Sequence, residues 1–144
     1  MVLVALMMLL LKLESVGPVN AVNLYMTLAC NDSEVFSKGK DAAACIGLTP
    51  LQHSSGGKTK IGSIGKKVKN SMLRSQLITG AMAVVQQLKE RPAKTEKEVW
   101  LKGVIERRGK KRAAVALANK TVRTAFAMLR DGTEYVTKPL VVTA

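Results

Sequence analysis

The strongest candidate nucleophile in this sequence is a pair of serines that follows its only histidine. Ser54 and Ser55 come directly after His53. His53 and Ser55 are two positions apart, so both would face the same side of an extended segment, where an imidazole could take the proton of a hydroxyl. A single histidine beside serines also arises often by coincidence, and spacing alone does not separate the two interpretations.

Two other kinds of catalytic site are excluded or disfavoured around these serines. Gly57-Lys58-Thr59 invites comparison with a phosphate-binding P-loop, but that motif needs a glycine five residues before its second glycine, and Gln52 stands there. Residues 44–50 also lack the strand-like run that precedes a P-loop. No cluster of carboxylates accompanies the serines, which argues against a stand-alone metal-dependent nuclease centre.

Positive charge is concentrated in two parts of the sequence. Residues 42–89 contain no acidic residue, and their lysines gather in a Gly/Ser-rich stretch, while residues 107–112 are basic apart from Gly109. Charge runs commonly form solvated faces, but solubility does not require a single sign of charge. We therefore predict that these side chains contact nucleic-acid phosphates. The predicted contacts are Lys58, Lys60, Lys66, Lys67, Lys69, Arg74, Arg107, Arg108, Lys110, Lys111 and Arg112.

The overall composition favours double-stranded DNA as the partner. The net charge is +13 and the isoelectric point is about 10.1, which favours polyanions. Aromatic residues make up only 3% of the chain, whereas single-strand and RNA binders commonly stack bases on aromatic rings. Lysine and arginine can grip a duplex backbone without aromatics. Cys30 and Cys45 suggest neither a disulfide framework nor a CxxC metal site, and we interpret both as reduced thiols.

The elements that must position these residues are predicted to be mainly α-helical. Apolar residues at helical spacing predict a helix over 71–90, which ends before Pro92, and a long last helix that Gly132 closes. Thr95 and Glu98 have the spacing of a capping box that begins the helix between these two. The fold class is therefore mainly α.

The remaining segments are predicted to be shorter or irregular. Helices are expected over about 19–28 and 38–46, with turn residues between them. Residues 51–70 are rich in Gly, Ser and Lys and show little periodicity, so they are predicted to form a loop before the long helix. Residues 135–144 are expected to be a tail with at most one short strand.

The N-terminal segment is apolar but too short to span a membrane. Residues 2–11 resemble the core of a signal peptide, yet no basic residue precedes them and no small-residue cleavage site clearly follows. A membrane span needs about 20 apolar residues. We favour the end of a buried helix. An export or membrane-surface role, and an accidental start within a longer reading frame, are the alternatives.

Several short motifs follow one another in a fixed order. They are Gly47-Leu48-Thr49-Pro50, Ser54-Ser55-Gly56-Gly57-Lys58, Leu73-Arg74, Glu106-Arg107-Arg108-Gly109-Lys110, Ala114-Val115-Ala116-Leu117-Ala118-Asn119-Lys120, and Met128-Leu129 with Tyr135. In this order they resemble the C-terminal domain of the DEDD insertion-sequence transposases, the relatives of the Piv invertases, some of which are guided by a bridge RNA. The resemblance runs from about Val16 to Tyr135 and rests on order and spacing rather than on one specific motif. It divides the chain into an apolar segment (1–14), the transposase C-terminal domain (15–135) and a tail (136–144).

The resemblance implies a nucleophile for DNA strand exchange. In this family a serine five residues after the proline and followed by glycine attacks a DNA phosphodiester and becomes linked to it. Counted from Pro50, that serine is Ser55, and Ser54 is the alternative. The family's metal site lies in an N-terminal RuvC-like domain with four acidic residues. We expect that domain and its divalent metal ion, Mg²⁺, to be absent here, which would leave the chain without a cofactor and incomplete as an enzyme.

The resemblance also implies partners and a location. Double-stranded DNA is the expected partner, and a guide RNA, self-association and a full-length transposase are further partners that the family implies. The expected location is the cytoplasm, in association with the nucleoid and without a membrane. A basic nucleic-acid-binding protein without catalytic activity is the alternative function.

The sequence departs from the family pattern at two places. Glu14-Ser15 stand where the family has Pro-Gly before Val-Gly-Pro, in a turn that resembles a helix-hairpin-helix, whose glycines let backbone amides approach phosphates. Lys66-Lys67-Val68-Lys69 stand where the family has Lys-x-Gly before the long helix. A β-branched valine does not readily adopt the positive φ that a glycine adopts.

Overall fold

Helices form most of the described part of the chain, as the sequence predicts. The computed structural model describes residues 2–28, 39–48, 50–55, 58–64 and 71–139. Within them the elements follow a simple order, with one β-hairpin placed between two sets of three helices. The elements are α1 (Val2–Leu10), α2 (Pro18–Leu28), α3 (Gly39–Ile46), β1 (Pro50–Ser55), β2 (Lys58–Ile64), α4 (Ser71–Lys89), α5 (Glu96–Arg108) and α6 (Lys110–Asp131).

The core is built around α6, which packs against each of the other five helices named above. Its buried stripe is rich in alanine, so neighbouring helices can approach closely. Helix α4 supplies the facing stripe, with larger apolar residues at intervals of three and four. The buried residues of α6 are Ala113, Ala114, Leu117, Ala118, Thr121, Val122, Ala125, Phe126 and Met128. Those of α4 are Leu73, Leu77, Ala81, Val85 and Leu88.

The predicted loop over residues 51–70 is wrong for the part that the structure describes. Strands β1 and β2 pair antiparallel, with Ser55 opposite Lys58 and Pro50 opposite Ile64. In the sequence, Gly56 and Gly57 come between these two strands, and a Gly-Gly dipeptide between two short runs is a hairpin signal. The prediction gave the high glycine and serine content more importance than this signal. Residues 65–70 lie outside the described residues.

The predicted N-terminal helix is present, but only one side of it is buried. Helix α1 ends at Leu10, which has no exposed surface, whereas Val4 and Met8 are 51% and 62% exposed. The expectation of a buried helix end is therefore correct for one face alone. No helix among the described residues is long and apolar enough to cross a membrane.

The turn between α1 and α2 packs tightly against α4. Ser15 has a φ of +73°, and the other non-glycine residues that the structure describes all have a negative φ. A Cβ atom placed on Gly80 would lie 2.5 Å from the carbonyl oxygen of Ser15. The Asn20 side chain also donates to the Gln76 carbonyl at 3.3 Å. The α1–α2 turn can therefore pack this closely against α4 only because residue 80 has no side chain.

The start of α5 forms the predicted cap and adds a partly buried ion pair. The Glu98 amide donates to Thr95 Oγ1 at 3.2 Å, and the Lys94 amide donates to the Glu98 carboxylate at 2.6 Å. Arg91 donates through both terminal nitrogens to the same carboxylate, at 3.0 and 2.5 Å. These Arg91 bonds, followed by the backbone bond from Lys94, lower the pKa of Glu98 to about 2 despite its burial.

The tail after α6 is held against the start of α5. Gly132, with a φ of +67°, ends α6 as predicted, and its amide donates to the Met128 carbonyl. The Glu96 amide then donates to the Lys138 carbonyl at 3.1 Å, and Thr95 pairs with Pro139 in an isolated antiparallel bridge. The short strand that we allowed for in the tail is thus a single bridge in the described residues.

We expect Gly80→Ala to lower the free energy of unfolding by about 1–3 kcal/mol, because the new methyl group would overlap the Ser15 carbonyl. Gly103→Ala, inside α5, is the matched control. No atom lies within 4 Å of a Cβ at position 103, so alanine should raise stability by about 0.5–1 kcal/mol through its helix propensity. Urea unfolding followed by circular dichroism measures both. Equal effects at the two positions would contradict the close approach.

We expect Glu98 to make stability depend on acid pH. Its folded pKa lies below the ordinary value of 4.5, so its stabilisation is complete above pH 4.5 and is lost as the pH falls towards 2. The loss should be about 1–2 kcal/mol, less than the whole shift would suggest, because the Arg91 side chain is 36% exposed. Thermal unfolding between pH 7 and pH 2.5 should show a smaller acid loss in Glu98→Gln than in the exposed control Glu106→Gln. Identical acid profiles would contradict this assignment.

Candidate nucleic-acid interface

The segment that leads from α3 to the hairpin with the candidate serines is bonded to the core through two of its backbone carbonyl groups. Arg74 Nε on α4 donates to the Gly47 carbonyl at 3.2 Å. Asn119 Nδ2 on α6 donates to the Leu48 carbonyl, also at 3.2 Å. Leu48 itself is buried. These contacts fix the path of the chain from α3 towards β1. Arg74, which was predicted to contact phosphates, thus has one donor engaged inside the protein, and the sequence analysis missed the role of Asn119.

The strand register separates the two candidate serines. Ser55 pairs with Lys58, Ser54 with Thr59 and His53 with Lys60. Because alternate positions of a strand share a face and paired positions share the same face, positions 53, 55, 58 and 60 lie on one face of the hairpin. Position 54 lies on the other face with position 59. The extended segment that the His-Ser spacing requires is therefore present, and two lysine positions accompany it.

The second basic concentration lies at the junction between α5 and α6, as predicted. Gly109 has a φ of +85°, and its backbone N–H donates a hydrogen bond to the Ile105 carbonyl at the end of α5. The next residue, Lys110, is the first residue of α6. No side chain caps α6 and its first turn has no acidic residue. The amides of residues 110–112 therefore lack partners within the helix. They add the positive end of the helix dipole to the exposed side chains of Arg107, Arg108, Lys111 and Arg112.

A further lysine joins this junction from a distant part of the sequence. Lys89, in the last turn of α4, lies close enough to Lys110 for its positive charge to act on the Lys110 ammonium. The nearby Lys89 lowers the pKa of Lys110, and the Glu90 carboxylate offsets part of the effect. We name the group Lys89, Lys110, Lys111, Arg112, Arg107 and Arg108 the junction cluster. Lys89 was not among the predicted contacts, because its proximity depends on how α4 packs against α6.

The two basic regions lie near opposite ends of α4. Arg74 is in the first turn of this helix and Lys89 in the last. Fifteen residues at about 1.5 Å per residue place them roughly 22 Å apart along the helix axis. The predicted contacts Lys66, Lys67 and Lys69 lie outside the described residues. An extended polyanion could therefore be held near both ends of α4.

The described residues do not assemble a metal site. No group of three or more His, Cys, Asp or Glu side chains comes together within residues 2–28, 39–48, 50–55, 58–64 and 71–139. The acidic residues with resolved contacts form ion pairs instead, such as Glu98 with Arg91 and Glu14 with Lys97.

Comparison with known proteins decides the family. The sequence pattern described as the transposase IS116/IS110/IS902 family matches residues 7–98. The chain belongs to this transposase family. The matched segment begins in α1, includes both strands of the hairpin and ends in α5, so both candidate serines lie within it.

Curated transposases resemble the chain over most of its length. It is 42% identical over 118 residues to the transposase for insertion sequence element IS1111A of Coxiella burnetii. It is 39% identical over 126 residues to y4pF/y4sB of Sinorhizobium fredii and 38% identical over 126 residues to a protein of Pseudomonas aeruginosa, both named as transposases. The alignments cover 82–88% of this chain but 31–36% of the relatives. The chain thus spans about a third of the length of the curated relatives it matches.

Proposed function

We propose that this chain is the DNA-handling part of a transposase and carries the serine that attacks the DNA backbone during transposition. Family membership carries the proposal, because the matched residues 7–98 include the hairpin. The strand register supports Ser55 over Ser54, since position 55 shares its face with His53 and with two lysine positions. Transposition requires that DNA strands be broken and rejoined without loss of their ends, and a covalent protein–DNA intermediate suits that need.

The proposed step is a transesterification at phosphorus. Ser55 Oγ forms a bond to the phosphorus of a DNA phosphodiester, and the bond from that phosphorus to one deoxyribose oxygen breaks. His53 is the candidate base for the serine proton, and the released deoxyribose oxygen takes up a proton. Lys58 and Lys60 would stabilise the negative charge on the phosphoryl oxygens. Because the phosphoserine keeps the energy of the original ester bond, attack by a second DNA hydroxyl can join new strands.

The junction cluster is proposed to hold the duplex through its phosphates. Its side chains are mostly exposed, and they surround helix amides without partners in the helix. Contacts of this kind give affinity without reading the base sequence. In the free protein, Lys89 and Lys110 repel each other, and a phosphate between them would remove that repulsion. A guide RNA and self-association, which the family resemblance implies, remain further proposals for the same basic surfaces.

The resemblance to DEDD transposases also implies a RuvC-like domain whose acidic residues bind a divalent metal ion such as Mg²⁺. The described residues of this chain do not fit such a site, because no cluster of potential ligands is found among them. We propose that another part of a transposase contributes the metal-binding residues. No step of the serine chemistry above is assigned to a metal ion.

The nucleophile is tested by trapping a covalent adduct on a duplex that carries an insertion-sequence end, with Mg²⁺ and a full-length family transposase present. We expect an adduct that resists detergent and has the mass of this chain, with the DNA remnant on Ser55 in mass spectrometry. Ser55→Ala should abolish it, whereas Ser54→Ala should retain it. Both variants should bind the duplex as the unmodified chain does, because a single hydroxyl adds little to a multi-phosphate contact.

The possible outcomes of that experiment are distinct. An adduct that persists in Ser55→Ala, or that maps to Ser54, would overturn the assignment of the nucleophile. Normal duplex binding by the unmodified chain without any adduct would favour the alternative function, a basic nucleic-acid-binding protein without catalytic activity. Loss of binding in Ser55→Ala would show that the serine acts in binding rather than in chemistry.

We expect Lys89→Gln to have opposite effects on duplex binding and on stability. Loss of a phosphate contact should weaken binding and reduce the slope of log affinity against log salt by about 1. Loss of the repulsion with Lys110 should raise the melting temperature at low salt, and added salt should shrink that gain. Lys102→Gln, on α5, removes the same charge away from this contact and is the control. A lower melting temperature in Lys89→Gln would contradict the proposed repulsion.

A further inference from the structure

A groove outside the junction cluster and the hairpin combines aromatic rings with lysines. It lies between α5, α6 and the tail, and its volume is about 330 Å³, which is within the range of small-ligand pockets. Trp100, the only tryptophan in the chain, lines it together with Tyr135. Three lysines and one carboxylate, that of Glu96, also line it, so cations are in excess. The lysines are Lys97, Lys120 and Lys138.

The wall formed by the tail is fixed in place by several contacts. The Tyr135 hydroxyl donates to the Glu14 carboxylate, with both oxygens at 2.9 Å. Lys97 donates to the same carboxylate at 2.9 Å, and its side chain is only 13% exposed. Desolvation and then the bond to Glu14 raise the pKa of Tyr135 above its usual range. The tail is held here by partly buried polar contacts, so the groove exists before any ligand binds.

The lysines of the groove are arranged around the rings. Lys120 Nζ lies 4.4 Å from the centroid of the Trp100 ring, and Lys97 Nζ lies 5.2 Å from that of Tyr135. Lys120 and Lys138 are both exposed and make no ion pair with a carboxylate among the residues that the structure describes. An ammonium group held over an indole has few stabilising contacts, and it can move to a phosphate that comes within reach.

We propose that this groove binds an unpaired base of a single-stranded nucleic acid, with the base stacked on Trp100 and the adjoining phosphates contacted by Lys120 and Lys138. A base inside a duplex already has both faces stacked, so a single, partly buried ring that lines an open groove favours unpaired nucleotides. Stacking of a base on an aromatic ring contributes more than an exposed cation–π contact, so the base displaces the Lys120 ammonium from the ring. The proposal does not depend on the reactivity of Ser55.

This proposal differs from the expectation drawn from composition. The low aromatic content favoured duplex DNA and counted against single-strand binding. That average describes the whole chain, whereas the groove brings Trp100 and one of the two tyrosines together with three lysines. A stacking site needs only one accessible ring and nearby cations, so a local concentration of aromatics is sufficient.

The test uses the fluorescence of Trp100, which reports on the groove without a label because the chain has no other tryptophan. The probes are an oligouridylate and an oligothymidylate, each of about ten nucleotides, a length typical of single-strand binding sites. We expect both to quench the fluorescence in a saturable and salt-sensitive manner. Tighter binding of oligouridylate would identify RNA as the ligand, and tighter binding of oligothymidylate would identify single-stranded DNA. No quenching by either probe at low salt would overturn the proposal.

Variants separate stacking from general attraction to a basic protein. Binding of labelled probes should weaken roughly 5- to 150-fold in Trp100→Leu, which keeps an apolar side chain, and much less in Trp100→Phe, which keeps a ring. Lys120→Gln should weaken binding, whereas Lys102→Gln, which removes a lysine outside the groove, should do so only slightly. Equal losses in the two lysine variants, or no loss in a folded Trp100→Leu protein, would contradict the proposal. Ser55→Ala should bind as the unmodified chain does, so either proposal can fail alone.

Discussion

The close packing of α6 is the constraint on which the rest of the structure depends. The alanine-rich buried stripe of α6 lets the five other helices pack closely against it. This packing fixes the orientation of α6, and with it the positions of the α6 residues that lie outside the stripe. Lys110 begins this helix at the junction cluster, Asn119 holds the carbonyl of Leu48 before the hairpin, and Lys120 lines the groove. A single helix therefore contributes residues to the junction cluster and to the groove, and it also contacts the segment that leads to the hairpin.

Features that depend on neighbours in the sequence could be predicted from it, whereas those that depend on packing could not. The bounds of α4 and α6 follow from apolar spacing and from the residues at their ends, and the cap formed by Thr95 and Glu98 follows from their separation of three. The contact between Lys89 and Lys110 joins the end of one helix to the start of another, and no local pattern signals it. The hairpin is an intermediate case, since Gly56-Gly57 was a local signal that the overall composition obscured.

The candidate site also combines features that the sequence predicts with features that only the structure shows. Order and spacing identified Ser54 and Ser55, but only the strand register places position 55 on the face that positions 53, 58 and 60 share. The turn between α1 and α2 adds a further example. Ser15 stands where the resembling family has glycine, and its φ of +73° is a conformation that favours glycine. The absence of a side chain at Gly80 on α4 leaves room for the Ser15 carbonyl in this conformation.

The positions of the positive charges connect the fold with its proposed function. A chain with a net charge of +13 folds more easily when its lysines and arginines are spread out, yet Lys89 lies near Lys110. Such groupings cost stability in the free protein, because like charges repel most strongly at short range. The cost is removed when a phosphate comes between them. The fold thus places this unfavourable charge contact near the end of α4, where a bound nucleic acid would relieve it.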